Sequence, residues 1–119
     1  MKYQNMINGL PFDEDMVVLE VDIRKLSEYL KNNSVTDFWC ADKESRIDGD
    51  FKGQKYDGVL NKINNKEAIH MPELYMVDDR VSIMDGRHRL YAFLDSGFDR
   101  CDIICNTEDY QKIKEKFGA

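Results

Sequence analysis

The run Asp85-Gly86-Arg87-His88-Arg89 places cations at the start of a predicted helix. A helix N-terminus carries about half a positive charge, so acidic or neutral residues are favoured in its first turn. Two guanidinium groups and an imidazole stand there instead, and each costs up to ~1 kcal/mol unless an anion lies beside it. First-turn N–H groups, which lack intrahelical acceptors, point to the same place. The residues therefore predict a phosphate or carboxylate site.

Arginine replaces lysine around this segment. No lysine occurs between residues 67 and 111, where the cations are Arg80, Arg87, Arg89 and Arg100, whereas elsewhere lysines outnumber arginines by 11 to two. The planar guanidinium binds an oxyanion at two points, which an ammonium group does not do. We interpret Arg87 and Arg89 as anion ligands, and Arg80 and Arg100 as partners of neighbouring aspartates. Ion pairs with aspartates are the alternative for Arg87 and Arg89 as well.

Three residues of the run have further interpretations. Gly86 has no Cβ, which allows a sharp bend and the approach of a ligand to the backbone. Asp85 would hold the turn through its side chain, bind Mg²⁺ or act as a base. His88 would order the loop by bonding a carbonyl, contact phosphate or transfer a proton. Asp85 and His88 are therefore the candidate catalytic residues.

Hydrophobic periodicity and turn residues predict the elements that position this run. Strands are predicted at 16–21, 73–77, 81–84 and 101–105, and helices after Asp22, from Tyr56, between Gly86 and Gly97, and after Asn106 or Thr107. Because strands and helices interleave, we expect an α+β fold. It would be a single domain over residues 1–119, with a small mixed β-sheet packed by about four helices.

The composition narrows the classes of function. The 119 residues carry a net charge of −6, which repels the phosphates of duplex nucleic acid but leaves room for one small anion site. The longest aliphatic run, Met16 to Leu19, is far shorter than the ~20 residues of a membrane span. No secretory signal is evident, so a cytoplasmic location is expected. Cys40, Cys101 and Cys105 form no CxxC and are predicted to be buried thiols rather than zinc ligands.

Residues 81–97 read VSIMDGRHRLYAFLDSG. This segment resembles the signature of the ParB/sulfiredoxin-like superfamily, in which a strand ends in Asp-Gly-x-His-Arg and is followed by a helix with an alanine and then a glycine. Met71-Pro72, the two strands after it and the strand at 101–105 fit the order of that family. The resemblance covers residues 70–106.

The resemblance implies a domain that binds a nucleotide, ATP or CTP with Mg²⁺, and that performs phosphoryl transfer or nucleotide hydrolysis. Gly86 and the amides of Arg87 and His88 would hold phosphate, and the side chains of His88 and Arg89 would supply the charged contacts. Arg87 stands where sulfiredoxins have cysteine, so peroxiredoxin repair is not expected. Partition proteins have Gly-Glu-Arg-Arg here, which together with the acidic charge argues against DNA partition.

A second hypothesis comes from a different class of protein. A small acidic domain with aromatic residues among carboxylates is typical of immunity or antitoxin proteins, which inhibit a cationic nuclease toxin by direct binding. The residues assigned to that surface are Phe38, Trp39, Asp42, Glu44, Asp48 and Asp50. If the aromatic residues belong to the core instead, this hypothesis loses its anchors.

Overall fold

The computed structural model describes residues 6–7, 10–11, 15–33, 39 and 53–119. A short antiparallel pair, β1 (Met6–Ile7) and β2 (Leu10–Pro11), comes first. The elements that follow are β3 (Met16–Asp22), α1 (Ile23–Asn33), α2 (Gly53–Asn64), β4 (Glu73–Val77), β5 (Arg80–Asp85), α3 (Arg87–Asp95), β6 (Arg100–Asn106) and α4 (Thr107–Phe117).

The main sheet has four strands in the order β3-β6-β4-β5. β3 and β4 each pair with β6, the first antiparallel and the second parallel, and β4 forms an antiparallel hairpin with β5. The predicted α+β class, with a small mixed sheet and four helices in the described part of the chain, is therefore confirmed.

Local sequence signals account for most of the element boundaries. Asp22 caps α1, because its Oδ1 accepts the N–H of Lys25 at 3.0 Å. Asp78 forms the β4–β5 turn in the left-handed conformation at φ 56°, and Gly97 ends the turn after α3 at φ 84°. α2 begins at Gly53, three residues before the predicted start at Tyr56. These capping and turn signals depend on neighbouring residues only, so the sequence shows them directly.

α3 is more deeply buried than its predicted stripe of Leu90, Phe93 and Leu94. Leu90 and Phe93 are fully buried, but so are Tyr91 and Ala92, and Leu94 is partly exposed. The reason is that α3 packs against both α1 and α2, so more than one face of its middle turn is covered. The N-terminal end of this central helix carries the predicted site.

The thiols of Cys101 and Cys105 are free and buried, as predicted, whereas Cys40 lies outside the described residues. Burial raises the pKa of Cys105 to about 11 and that of Cys101 still higher. The described residues contain no group of three or more histidine, cysteine or acidic side chains arranged to hold a metal ion. None of the described helices has the length and apolar character needed to cross a membrane.

Candidate anion-binding site

Gly86 connects the end of β5 to the start of α3. It precedes the first helical residue with φ 96° and ψ 23°, and its carbonyl accepts the N–H of Leu90 at 3.0 Å. A Cβ at this position would lie 2.8 Å from the Cα of Pro72. The predicted bend is therefore present. The sequence predicted that a ligand approaches the backbone of Gly86, but the group that approaches it closely is Pro72.

Arg89 faces the same bend and is partly engaged by the protein itself. Its Nη1 donates to the carbonyl of Met71 at 3.3 Å, and its Nη2 lies 3.5 Å from Oδ2 of Asp85. The Arg89 side chain is only 19% exposed, while that of Asp85 is 44% exposed. Arg89 thus ties the segment before β4 to the end of β5, and the negative charge of Asp85 offsets part of its positive charge.

A cavity of about 350 Å³ opens beside this bend. Its walls are the first turn of α3, the segment before β4, and one face of α2. The lining residues in the described part of the chain are Gln54, Lys55, Gly58, Val59, Lys62, Ile69, His70, Asp85, Gly86, Arg87, His88 and Arg89. All five residues singled out from the sequence therefore lie at one cavity.

The α2 wall of the cavity was not predicted from the sequence. The side chains of Lys55 and Lys62 are exposed and lie two turns apart on one side of α2. Tyr56 holds this helix against α3, because it is buried and its hydroxyl donates to Oδ2 of Asp95 at 2.6 Å. The repeat of Lys55, Gly58 and Lys62 beside the apolar stripe is the sequence signal that would have indicated this wall.

The cavity is positively charged although the chain is acidic. Of its described lining residues, two lysines and two arginines are cationic and Asp85 is the single carboxylate, while the chain as a whole has a net charge of −6. Two imidazoles, those of His70 and His88, add hydrogen-bonding capacity. Cations gathered around a cavity attract small anions and raise their local concentration.

A second carboxylate, that of Glu73, belongs to the residue paired with Asp85 in the sheet. Glu73 is opposite Asp85 in the β4–β5 pair, and it also lies beside Ile104 of β6. Burial, and then the charge of Asp85, raises the pKa of Glu73 above its ordinary value. Glu73 therefore takes up a proton more readily than an exposed glutamate, and this proton lessens the negative charge next to Asp85.

Trp39 lies in the core, which corrects its assignment to an exposed partner-binding surface. The residue is 5% exposed, its ring stacks on that of Tyr91 at a centroid distance of 4.2 Å, and its Nε1 donates to Oγ of Ser27 at 2.8 Å. The ring of His88 meets the ring of Tyr91 edge-on, at a centroid distance of 6.4 Å. The inhibitor hypothesis loses this anchor. Its other residues lie outside the described residues: Phe38, Asp42, Glu44, Asp48 and Asp50.

Comparison with known proteins yields one informative likeness. No protein-family model matches the chain, and no solved structure matches it. A guanine nucleotide-binding protein subunit alpha of Candida albicans (strain WO-1) is 30% identical over 97 residues. These residues are 82% of this chain but only 20% of the Candida protein, so the chain spans about a fifth of that relative.

Proposed function

We propose that this chain binds nucleoside phosphates, with the phosphate groups in the cavity between α2 and the N-terminus of α3. The observation that carries the proposal is the concentration of four cationic side chains around one cavity of an acidic protein. Two of these cations are arginines at the start of a helix, where the helix dipole also favours an anion. Phosphate is the common ligand that suits such a site.

Two likenesses support a nucleotide rather than a simple phosphate. The name of the Candida relative states that the whole protein binds guanine nucleotide. The resemblance of residues 81–97 to the ParB/sulfiredoxin-like superfamily implies ATP or CTP. The two disagree on the base and agree on the phosphates, which is the part that the cationic cavity would bind. ATP, CTP and GTP are therefore the three nucleotides to compare in the binding experiment.

Mg²⁺ would enter this site as part of the nucleotide complex. Asp85 is the one carboxylate among the described lining residues, and it is engaged by Arg89, so the described residues offer no preformed cation site. Phosphoryl transfer depends mainly on positioning and on neutralising the phosphate charge, which Arg87 and Arg89 would supply together with the cation. Proton transfer by Asp85 or His88 would complete a phosphoryl transfer or hydrolysis reaction.

Lysine variants test whether the cavity binds nucleotide. Calorimetric titration with MgATP, MgCTP and MgGTP should detect binding by the wild-type protein, and Lys62→Ala should weaken it about 5- to 10-fold through loss of one charge-assisted contact. Lys31→Ala is the matched control, because Lys31 is likewise the basic residue in the last turn of its helix but lies away from the cavity. If the wild-type protein binds none of the three nucleotides with millimolar or tighter affinity, the proposal is refuted.

A second pair of variants separates charge from blockage. Gly58 lines the cavity, and a Cβ added there meets no atom within 4 Å, so the backbone accepts a side chain at this position. Gly58→Glu and Gly58→Gln are equal in size and differ by one negative charge. If the bound group is anionic, the glutamate variant should bind at least 5-fold more weakly than the glutamine variant. Equal affinities would show that the site does not recognise negative charge.

A further inference from the structure

His70 has an uneven hydrogen-bonding environment. It lies between α2 and β4, lines the cavity and is half-buried. Its Nδ1 atom is buried and makes no hydrogen bond with any described residue. The exposed part of the residue therefore lies away from Nδ1, and the ring nitrogen at the opposite edge is Nε2.

This environment selects one tautomer. A buried N–H without an acceptor is among the rarest arrangements in proteins and carries the full cost of desolvation. A bare ring nitrogen in the same position costs less. In the neutral ring of His70 the proton therefore resides on Nε2.

We propose that His70 is a hydrogen-bond donor of the cavity, and that its Nε2–H donates to an oxygen of the bound phosphate group. This inference rests on the proposed function of the same site. The charged and titratable side chains that face the cavity with His70 are Lys55, Lys62, Asp85, Arg87, His88 and Arg89. The cations among them attract an anion without fixing its orientation. A hydrogen bond is directional, so the Nε2–H of His70 would fix the position of one oxygen.

Two amide variants distinguish the two nitrogens of His70. The side-chain amide of glutamine reaches the position of Nε2, and that of asparagine reaches the position of Nδ1. With inorganic tripolyphosphate and MgATP as probes, His70→Asn should weaken binding about 3- to 10-fold, the loss expected for one hydrogen bond. His70→Gln should remain within 2-fold of wild type. If asparagine restores binding and glutamine does not, the proposal is overturned.

Binding by the wild-type protein separates this inference from the proposed function. If wild type binds neither probe, the proposed function fails as well. If wild type binds and His70→Asn binds equally, this inference alone fails.

Discussion

Replacing Gly86 with alanine should destabilise the fold through two separate effects. The first is backbone strain, because φ is 96° and a left-handed residue with a Cβ costs about 1–2 kcal/mol. The second is overlap. The added Cβ would lie 2.8 Å from Cα and 2.9 Å from Cβ of Pro72, well inside the ~3.5 Å contact distance of carbon atoms. Forced overpacking of this kind costs about 1–3 kcal/mol.

Gly97→Ala is the matched control, since Gly97 has φ 84° and a Cβ there would meet no atom within 4 Å. The Gly97→Ala variant therefore carries the backbone strain without the overlap. Gly86→Ala should therefore lose about 2–5 kcal/mol of unfolding free energy and Gly97→Ala about 1–2 kcal/mol. The difference between the two variants measures the overlap with Pro72. A loss of this size is a large share of the about 5–15 kcal/mol that stabilises a typical domain.

Urea unfolding provides the assay, with the fluorescence of Trp39, the single tryptophan, as the probe. The midpoint should fall for both variants, and further for Gly86→Ala, with the slope unchanged. Gly86→Asn adds a second comparison, because asparagine tolerates the left-handed region better than alanine but carries the same Cβ. The reasoning is refuted if Gly86→Ala is no less stable than Gly97→Ala, or if asparagine restores wild-type stability.

Three further predictions concern the core and the sheet. Ser27→Ala removes the acceptor of the buried Trp39 indole N–H and should lower the urea unfolding free energy by about 1–3 kcal/mol; a change under 0.5 kcal/mol would contradict that role. Cys105, whose pKa burial raises to about 11, should resist alkylation in the folded protein at pH 8 and react once urea is added, as measured by peptide mass mapping. Glu73→Gln should be more stable than wild type at pH 7, because charged Glu73 is penalised by burial and by Asp85. This advantage should shrink as the pH falls through the raised pKa of Glu73 towards the ordinary value of 4.5, and an advantage that does not vary with pH would refute it.

Part of the site follows from the sequence alone, because its signals are local. The charge order of Arg87, His88 and Arg89 at a helix start, behind a glycine, indicated an anion site without knowledge of the fold. Turn-forming residues likewise indicated the hairpin turn at Asp78 and the helix end at Gly97, and both residues adopt the left-handed conformation. Each of these features depends on the chemistry of a few consecutive residues, and a sequence displays such chemistry directly.

The tertiary structure decided the rest of the site, because it joins residues distant along the chain. The hydrogen bond from Tyr56 to Asp95 spans 39 positions and sets α2 beside α3, which brings Lys62 to a cavity that begins at Gly86. Packing also determined that the neighbour of Gly86 is Pro72. Burial against several elements at once reflects the shape of the whole core, and no local pattern of residues encodes it.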